Sequence, residues 1–464
     1  MLKLYPDQEI TINSLRMRMD KYKCILLQSP TGSGKTAMAI YMINRSIQNN
    51  KRVGFTVPRR ELLKQTSKTF DGYGIKHSYI AAGKAFNPHA KAYIGMIDTM
   101  ARRLDTLPTL DVLIVDETHF GQKSLETVIN HYKKQRTWII GLSATPWKLS
   151  GQGLGCWYDA MVEGQDIRWL IDNKRLSDYK FYAGKTKPDF SGLKVTAGDY
   201  AKGEVAEFME DKKVIIGDCV SDYKRRAMGR LHIVRCASIK HSQMTAQAFI
   251  DNGVPAAHVD GTTPDDEMKR IIQAYARREI LVLCFCDLLN FGFDLSQASG
   301  MDVCIESGSD LKPTKSLAGQ MQFWGRILRY KEQSAVIIDH VNNYIEHGFP
   351  CSEREWSLSD REQCKRASIQ SDSIPVRQCD NCFFCHIPSP TCPECGYVYE
   401  IKSREIEQVD GELEEIDPQA VIIERKKQQG QAKSMQDLIN VGIVRGMKNP
   451  RGWAYNVMKG RKSR

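Results

Sequence analysis

The chain has 464 residues, enough for about three domains, and 42% of them are hydrophobic, enough for sizeable buried cores. It lacks an apolar run of about 18 residues, and its N-terminus lacks the hydrophobic stretch of a secretion signal, so the composition excludes a membrane protein and predicts a cytoplasmic one. The net charge of +11 favours a polyanionic partner such as nucleic acid.

Residues 1–178 alternate apolar strands with segments of helix length. This alternation predicts a parallel, doubly wound α/β sheet whose ligands lie beyond the carboxyl ends of the strands. The predicted strands lie near residues 24–28, 53–57, 92–96, 112–115 and 138–142. We therefore expect the chemistry of this first domain to follow directly after these strands.

A glycine-rich loop, SPTGSGKT, follows the first predicted strand and precedes a predicted helix over residues 37–46. The backbone N–H groups of such a loop wrap an anionic phosphate, so the pattern predicts a site for a nucleoside triphosphate. Lys35 would reach the β and γ phosphates, and Thr36 would hold Mg²⁺. The loop consists of Ser29, which stands where the usual pattern has its first glycine, followed by Pro30, Thr31, Gly32, Ser33, Gly34, Lys35 and Thr36.

An acid pair lies at the end of another predicted strand. Asp116 and Glu117 come directly after residues 112–115, and His119 lies two residues further on. An acid pair in this position, in a chain that also has a phosphate loop, is typical of nucleotide hydrolysis. Asp116 would bind Mg²⁺, and Glu117 would take the proton from the attacking water. The first domain is therefore predicted to bind and hydrolyse a nucleoside triphosphate.

The second predicted domain covers residues 179–350. Its α/β alternation resumes at residue 231, after a polar stretch over 185–213 that we expect to form a surface helix and loop. The predicted strands lie near residues 231–236, 256–259, 280–285, 303–306 and 335–338, and the predicted helices over 242–251, 265–276 and 315–326. This pattern predicts a second parallel sheet, which lacks a phosphate loop of its own. Arg326 and Arg329 are three residues apart, so they share a helical face.

A cysteine-rich segment, residues 375–400, follows a predicted linker over 351–374. Its two Cys-x-x-Cys knuckles offer four thiolates, which satisfy tetrahedral Zn²⁺ and predict a structural zinc ribbon rather than a catalytic metal site. Metal binding would supply much of the folding energy of so short a segment. Cys385 and His386 remain alternatives, because Cys382 and Cys385 also form a Cys-x-x-Cys pair, but the preferred ligands are Cys379, Cys382, Cys392 and Cys395.

The remaining residues, 401–464, begin acidic and end basic, which predicts a charged tether and a basic helical tail. Trp453 and Tyr455 lie among lysines and arginines near the end of the sequence. Aromatic side chains interleaved with basic ones suit stacking on single-stranded nucleic acid. The same residues would equally serve as the core of a small helical hairpin.

Several motifs occur in the order found in one family of nucleotide hydrolases. DETH at 116–119 and SATP at 143–146 resemble motifs two and three of the superfamily two helicases of the DEAD/DEAH type. The segments VPRRELLKQ, IDT, CDLLNFGFDL and QFWGRILR resemble further motifs of the same family. The resemblance implies two tandem RecA-like parallel-sheet domains with ATP bound between them, in addition to the zinc ribbon and the basic helical tail.

The resemblance also assigns roles to individual residues. Gln8, within PDQE, would read adenine, and His119 and Gln322 would sense the nucleotide across the cleft. Gly292 and Asp294 would approach the nucleotide from the second domain, and Arg326 and Arg329 would act as arginine fingers. The nucleic-acid contacts implied by the resemblance are Arg59, Thr99, Ser238, Gly261 and Thr262.

The combination of helicase motifs with a four-cysteine ribbon is similar to the RadD-type DNA repair helicases and their shorter bacteriophage relatives. This closer resemblance implies an ATP-dependent DNA helicase or translocase that works in replication, recombination or repair. Its partners would be single-stranded or forked DNA and single-strand-binding or recombination proteins. The residues themselves do not distinguish DNA from RNA, so an RNA helicase and an ATP-gated DNA clamp without unwinding stay open as alternatives.

Overall fold

The computed structural model describes residues 2–120, 123–148, 150–184, 189–196, 198–211, 213–287, 294–360, 377–399, 432, 434–444, 450–451, 454–455 and 457–458. The chain divides into two compact units, Met1–Tyr399 and Glu400–Arg464. Both large sheets and the cysteine-rich segment belong to the first unit. Each helix within the described ranges is too short or too polar to span a bilayer.

The first sheet has seven parallel strands in the order β3-β4-β2-β5-β6-β1-β7. Its elements are α1 (Pro6–Met19), β1 (Cys24–Gln28), α2 (Lys35–Gln48), β2 (Val53–Val57), α3 (Arg60–Gly72), β3 (His77–Ile80), β4 (Ala92–Met96), α4 (Ile97–Arg102), β5 (Val112–Val115), α5 (Lys123–Lys134), β6 (Trp138–Ser143) and β7 (Ala160–Glu163). The predicted parallel sheet is therefore confirmed, and all five predicted strands lie in it.

The strands of this sheet are apolar on both faces. In β1, Ile25 and Leu27 pack into one buried core, while Cys24 and Leu26 pack into a second core on the opposite face. Helices cover both faces of a parallel sheet, which explains why such strands read as continuous apolar runs. The two strands that the sequence did not predict, β3 and β7, are the edge strands.

The second sheet has six parallel strands in the order β12-β13-β11-β14-β15-β8. Its elements are α6 (Ile167–Asp172), β8 (Tyr179–Ala183), β9 (Val195–Thr196), β10 (Asp199–Tyr200), α7 (Lys202–Asp211), α8 (Lys213–Arg226), β11 (His232–Arg235), α9 (Ile239–Asp251), β12 (Ala256–Val259), α10 (Asp265–Ala276), β13 (Val282–Phe285), α11 (Leu295–Ser299), β14 (Ser307–Asp310), α12 (Leu317–Ile327), β15 (Ala335–Asp339) and α13 (Tyr344–His347). Strands β9 and β10 form a separate antiparallel pair. The prediction of a second parallel sheet is confirmed.

One predicted strand of this sheet, residues 303–306, is wrong, because the chain pairs four residues later as β14. This central strand is buried although its sequence is Ser-Gly-Ser-Asp. The hydroxyls of Ser307 and Ser309 lie 2.9 and 3.1 Å from the two ring nitrogens of His232 on the neighbouring strand. Gly308 leaves room for Ile327, whose Cγ1 would lie 3.1 Å from an added Cβ. Buried hydrogen bonds and close helix packing thus replace apolar side chains here.

The cysteine-rich segment packs beside the edge strand β8 of the second sheet. It contains the short strands β16 (Arg377–Gln378) and β17 (Cys385–His386). The side chain of Gln378 donates to the carbonyl of Ala183 at 2.7 Å, and Phe384 forms a backbone bridge with Tyr182. The segment therefore covers an edge that would otherwise present unpaired backbone groups.

The residues that follow α13 return to the first sheet, where a linker was predicted. Gly155 donates its N–H to the carbonyl of Leu358 at 3.0 Å, and the indole of Trp147 donates to the carbonyl of Ser359 at 2.8 Å. The rings of Trp147 and Trp356 lie 5.1 Å apart. Residues 351–360 are thus a packed strap, whereas the rest of the predicted linker, up to residue 374, lies outside the described residues.

In the second unit the structure describes one helix, α14 (Met435–Val444). Leu438 packs with Ala432 and Ala454 in a small buried cluster. Tyr455, one of the two aromatic residues of the predicted basic tail, is exposed. The other, Trp453, lies outside the described residues.

Candidate active site

The phosphate loop joins β1 to α2, as its sequence predicts. Gly34 has a φ of +87°, in the left-handed region that favours glycine, and an added Cβ there would collide with the side-chain amide of Gln8. That amide donates to the carbonyl of Ser33 at 2.9 Å. Lys35 donates to the carbonyls of Ser29 and Pro30 at 2.9 and 3.1 Å. The loop is therefore held in a tight turn around the lysine ammonium, with Gln8 fixed against it.

The acid pair lies beside this lysine. Burial lowers the pKa of Lys35, while the nearby carboxylates of Glu117 and Asp116 oppose that effect. Burial, together with the charge of Glu117, raises the pKa of Asp116 to about 7. Two close carboxylates disfavour each other's charge, and a divalent cation held by oxygen ligands relieves this. The buried carboxylate of Asp116 is therefore a suitable oxygen ligand for Mg²⁺.

Glu117 sits in a strained position with an unsatisfied oxygen. Its φ is +46°, uncommon for a residue with a side chain. Its Oε2 is buried and lies 3.3 Å from Nδ1 of His119, yet it accepts no hydrogen bond among the described residues. Strained backbone and orphaned buried oxygens are typical of functional sites. The arrangement suits a carboxylate that receives a proton from bound water.

His119 connects this carboxylate to SATP. Its Nδ1 lies 3.1 Å from the hydroxyl of Ser143, and the ring is fully buried. Burial lowers the pKa of His119, an effect that outweighs the opposing charge of Glu117. The imidazole is therefore neutral near pH 7 and fixes the orientation of its neighbours without adding charge.

The second sheet contributes α12 and the residues that follow it. The amide nitrogen of Gln322 is buried and has no hydrogen-bond partner in the described part of the chain. Burial lowers the pKa of Arg326 to about 10, the positive charge of Arg329 lowers it further, and the carboxylates of Asp294 and Glu117 oppose this effect. Arg329 donates to Asp294 at 2.8 Å, and the same aspartate caps α11. Gly292 lies outside the described residues.

The two sheets meet at the phosphate loop. A Cβ added at Gly325 in α12 would lie 2.6 Å from Cγ2 and 3.1 Å from the carbonyl oxygen of Thr31, and closer still to its Cβ. Gln65 in α3 accepts a hydrogen bond from the N–H of Asp294 at 3.2 Å. The structure thus brings the phosphate loop and the acid pair of one sheet against the arginine-bearing helix of the other.

The predicted nucleic-acid contacts lie at the carboxyl edges of the two sheets. Arg59 is exposed before α3, and Thr99 is buried in α4. Gly261 is exposed, and the hydroxyl of Thr262 donates to Asp260 at 2.6 Å. An ion pair of 2.8 Å between Lys64 of α3 and Asp265 of α10 brings the Arg59 and Gly261 segments together.

Ser238, the remaining predicted contact, already bonds to an acid of its own chain. Its hydroxyl donates to Oε1 of Glu210 at 2.6 Å, and Oε2 of the same carboxylate pairs with Lys240 at 2.8 Å. Glu210 lies on α7, in the segment expected to be surface helix. The hydroxyl to which the resemblance assigns a nucleic-acid contact therefore donates to a carboxylate of this chain.

The four preferred zinc ligands converge. The sulfurs of Cys379 and Cys395 are 3.7 Å apart, those of Cys382 and Cys392 are 3.6 Å apart, and all four lie within 4.8 Å of one another. A tetrahedral zinc with Zn–S bonds of about 2.3 Å requires S···S separations of about 3.8 Å. The thiol positions therefore fit Zn²⁺.

The two alternative ligands lie outside this cluster. Cys385 packs into an apolar core of the second sheet. The Nε2 of His386 lies 2.7 Å from the hydroxyl of Tyr399. Both side chains therefore serve packing rather than the candidate metal centre.

Two important positions were missed in the sequence. Gly325 interrupts a helical pattern, and an isolated glycine there can indicate close packing, so that signal was present. Arg175 is different. It contacts Asp7, 168 positions away, and no motif or periodicity points to the pair.

The fold and the site define a nucleoside-triphosphate hydrolase whose site is assembled from two parallel sheets. Residues 1–148 match the family described as "Type III restriction enzyme, res subunit". The chain is 31% identical over 411 residues to a "51.5 kDa protein" of Lactococcus phage (isolate 7-9), covering 87% of this chain and 85% of that protein. The chain belongs to the superfamily two helicases of the DEAD/DEAH type, and the expected bacteriophage relative is confirmed.

A yeast protein and a solved bacterial structure are also similar to the chain. "Putative ATP-dependent helicase IRC3" of Saccharomyces cerevisiae is 27% identical over 351 residues, which cover 71% of this chain and 50% of the yeast protein. The chain thus spans about half the length of that relative. A solved fragment of "a putative HsdR subunit of a type I restriction enzyme from Vibrio vulnificus YJ016" aligns with a TM-score of 0.57 at 17% identity, covering 74% of this chain and 65% of that chain. This likeness establishes the fold alone.

Proposed function

We propose that the chain is an ATP-dependent DNA helicase or translocase that acts on single-stranded or forked DNA in replication, recombination or repair. The observation that carries the proposal is the contact between Gly325 and Thr31, which joins the phosphate loop of one sheet to the arginine helix of the other. ATP bound at such a junction would favour contact between the two sheets, and hydrolysis would release it. The DNA assignment draws on the net charge of +11 and on the similarity to RadD-type helicases.

In this proposal, Lys35 and the N–H groups of the loop bind the phosphates, while Gln8 orients the base. Glu117 accepts the proton of the attacking water, and the neutral imidazole of His119 lies 3.3 Å from its carboxylate. Arg326 and Arg329 stabilise the charge that develops on the transferred phosphoryl group, an effect of about 10³- to 10⁵-fold in rate for an arginine finger.

Mg²⁺ would be held by Thr36 and Asp116. When bound, it neutralises charge on the phosphate oxygens. The raised pKa of Asp116 supports this assignment, because a carboxyl that is difficult to ionise alone becomes ionised beside a cation.

We assign Cys379, Cys382, Cys392 and Cys395 to a structural Zn²⁺ site. Four protein thiolates leave no open position for a substrate, so the metal supplies folding energy and not chemistry. Glu394, between the last two ligands, pairs with Lys180 of β8 at 2.8 Å. The zinc site would thus fix the ribbon to the second sheet.

The test compares ATP hydrolysis with single-stranded DNA, duplex DNA and RNA, together with strand displacement on a tailed duplex. Hydrolysis stimulated by single-stranded DNA, with displacement of the annealed strand, is the expected result. Stimulation by DNA without displacement or movement would instead favour an ATP-gated clamp. Stimulation by RNA alone would overturn the DNA assignment.

A further inference from the structure

Arg175 lies between the two sheets, in the connector formed by residues 164–178. It donates from Nη1 to Oδ1 of Asp7 at 2.7 Å, and the two side chains are only 13% and 7% exposed. The guanidinium carbon lies 3.4 Å from the ring centre of Tyr5. A buried ion pair that also stacks on an aromatic ring is a costly arrangement to form, and it fixes the connector against the start of α1.

The partners of Arg175 are attached to the phosphate loop. The N–H of Tyr5 donates to Oε1 of Gln8 at 3.1 Å, and Nε2 of the same glutamine donates to the carbonyl of Ser33 at 2.9 Å. Leu176, the next residue of the connector, packs on this loop as well, since a Cβ added at Gly32 would lie 2.8 Å from its Cδ2. The connector therefore touches the loop directly through Leu176, and it reaches the base-reading residue Gln8 through Tyr5.

In the other direction the connector holds the end of the arginine helix. Ser177 donates its N–H to the carbonyl of Leu328 at 2.9 Å and its hydroxyl to the carbonyls of Arg329 and Lys331 at 3.1 and 3.0 Å. Leu176 forms a backbone bridge with Arg329. Three consecutive connector residues thus link the start of α1 to the backbone of an arginine finger.

We propose that Arg175 is a positioning residue for ATP hydrolysis, which couples the base-reading end of the site to the Arg329 backbone. The inference rests on the roles assigned to Gln8 and Arg329 in the proposed function. A base held by Gln8 stabilises the start of α1, and the Asp7–Arg175 pair transmits that order to the connector. A displacement of about 1 Å at a catalytic group can lower the rate by up to about 10²-fold, so a modest shift of Arg329 is sufficient to affect turnover.

The test measures kcat and KM for ATP and for GTP without nucleic acid, in Arg175→Ala and in a matched control, Arg168→Ala. Arg168 lies on the same connector but is exposed and pairs with Asp172 and Asp178. We expect Arg175→Ala to lower kcat/KM for ATP about tenfold and the preference for ATP over GTP about fivefold, because base reading and finger placement become uncoupled. The control should match the wild type.

Two further variants separate positioning from stability. Asp7→Asn combined with Arg175→Gln removes both buried charges together, which often preserves folding, and should give the same loss of base preference at an unchanged melting temperature. Arg175→Lys keeps the charge but not the planar stack on Tyr5, and should recover part of the ATP rate.

Equal losses for ATP and GTP in these variants, or a result equal to the Arg168 control, would overturn the inference. A different result would refute the proposed function: the wild-type protein would hydrolyse ATP, but no nucleic acid would stimulate that hydrolysis. Because the Arg175 comparison needs no nucleic acid, it still gives an answer in that case.

Discussion

The contact between α12 and the phosphate loop predicts a strong effect of Gly325→Ala. The new methyl group would lie 2.6 Å from Cγ2 and 3.1 Å from the carbonyl oxygen of Thr31, well inside ordinary contact distance. Both atoms belong to Thr31 in the tight phosphate loop, so neither this loop nor α12 can move away easily. The strain falls between the two sheets rather than within either one.

The size of the effect follows from two opposing contributions. Alanine favours a helix interior over glycine by about 1 kcal/mol, so α12 itself gains stability. Overpacking at a close contact costs about 1–3 kcal/mol, and here that cost opposes the arrangement in which the sheets meet. A cost of about 1–3 kcal/mol corresponds to a loss of about 5- to 150-fold in the population of that arrangement. Turnover should decrease by a similar factor.

Steady-state ATP hydrolysis and thermal unfolding together check this prediction. Gly319→Ala on the same helix is the matched control, because within the described part of the chain its Cβ would come no closer than 3.5 Å to another residue, at the hydroxyl oxygen of Ser316. We expect Gly325→Ala to lose hydrolysis without a fall in melting temperature, and Gly319→Ala to keep both. Equal activity of the two variants would refute the close contact, and a large fall in melting temperature would place the strain inside the second sheet.

Three further changes test other parts of the site. Glu117→Gln should bind ATP yet fail to turn it over, because an amide cannot accept the proton of water; nucleotide titration and ATP hydrolysis check this, and retained turnover would remove Glu117 from its role. Glu210→Gln should tighten binding of single-stranded DNA about two- to fivefold, since its carboxylate competes with a phosphate for the groups at the start of α9. A titration against Glu207→Gln, exposed on the same helix, measures the difference, and equal changes would contradict the competition. Cys392→Ser should lose zinc by elemental analysis while Cys385→Ser keeps it, and unchanged zinc in the first variant would refute the ligand set.

The fold was predictable wherever packing alone determines a strand. Strands β1, β2, β4 and β5 have the bounds that their apolar runs predict, because helices on both faces require continuous apolar side chains. Strand β14 was not predictable in this way. Its serines are buried because His232 on the next strand needs two hydroxyl partners, and a one-dimensional pattern of hydrophobicity does not contain that requirement.

The candidate site also contains residues that local sequence patterns predict and residues that they do not. The phosphate loop and the acid pair are local patterns, so the sequence alone located them and the structure brings them together. Contacts between distant segments have no local sequence pattern that would predict them. Arg175 meets Asp7 from 168 positions away, and Trp147 meets the strap at Ser359 from 212 positions away, so only the folded chain reveals which residues link the two sheets.

The proposed Zn²⁺ site would make the cover over strand β8 depend on metal supply. Strand β8 is an edge strand of the second sheet, and the segment that covers it has a core made largely of the thiols to which we assign Zn²⁺. In a cell short of zinc, or after oxidation of those thiols, that cover would loosen and expose an edge able to pair with other chains. A fragment that stops before residue 377 carries the same exposed edge permanently, so biochemical preparations of the two-sheet part alone should retain the cysteine segment and be purified with zinc and a reductant.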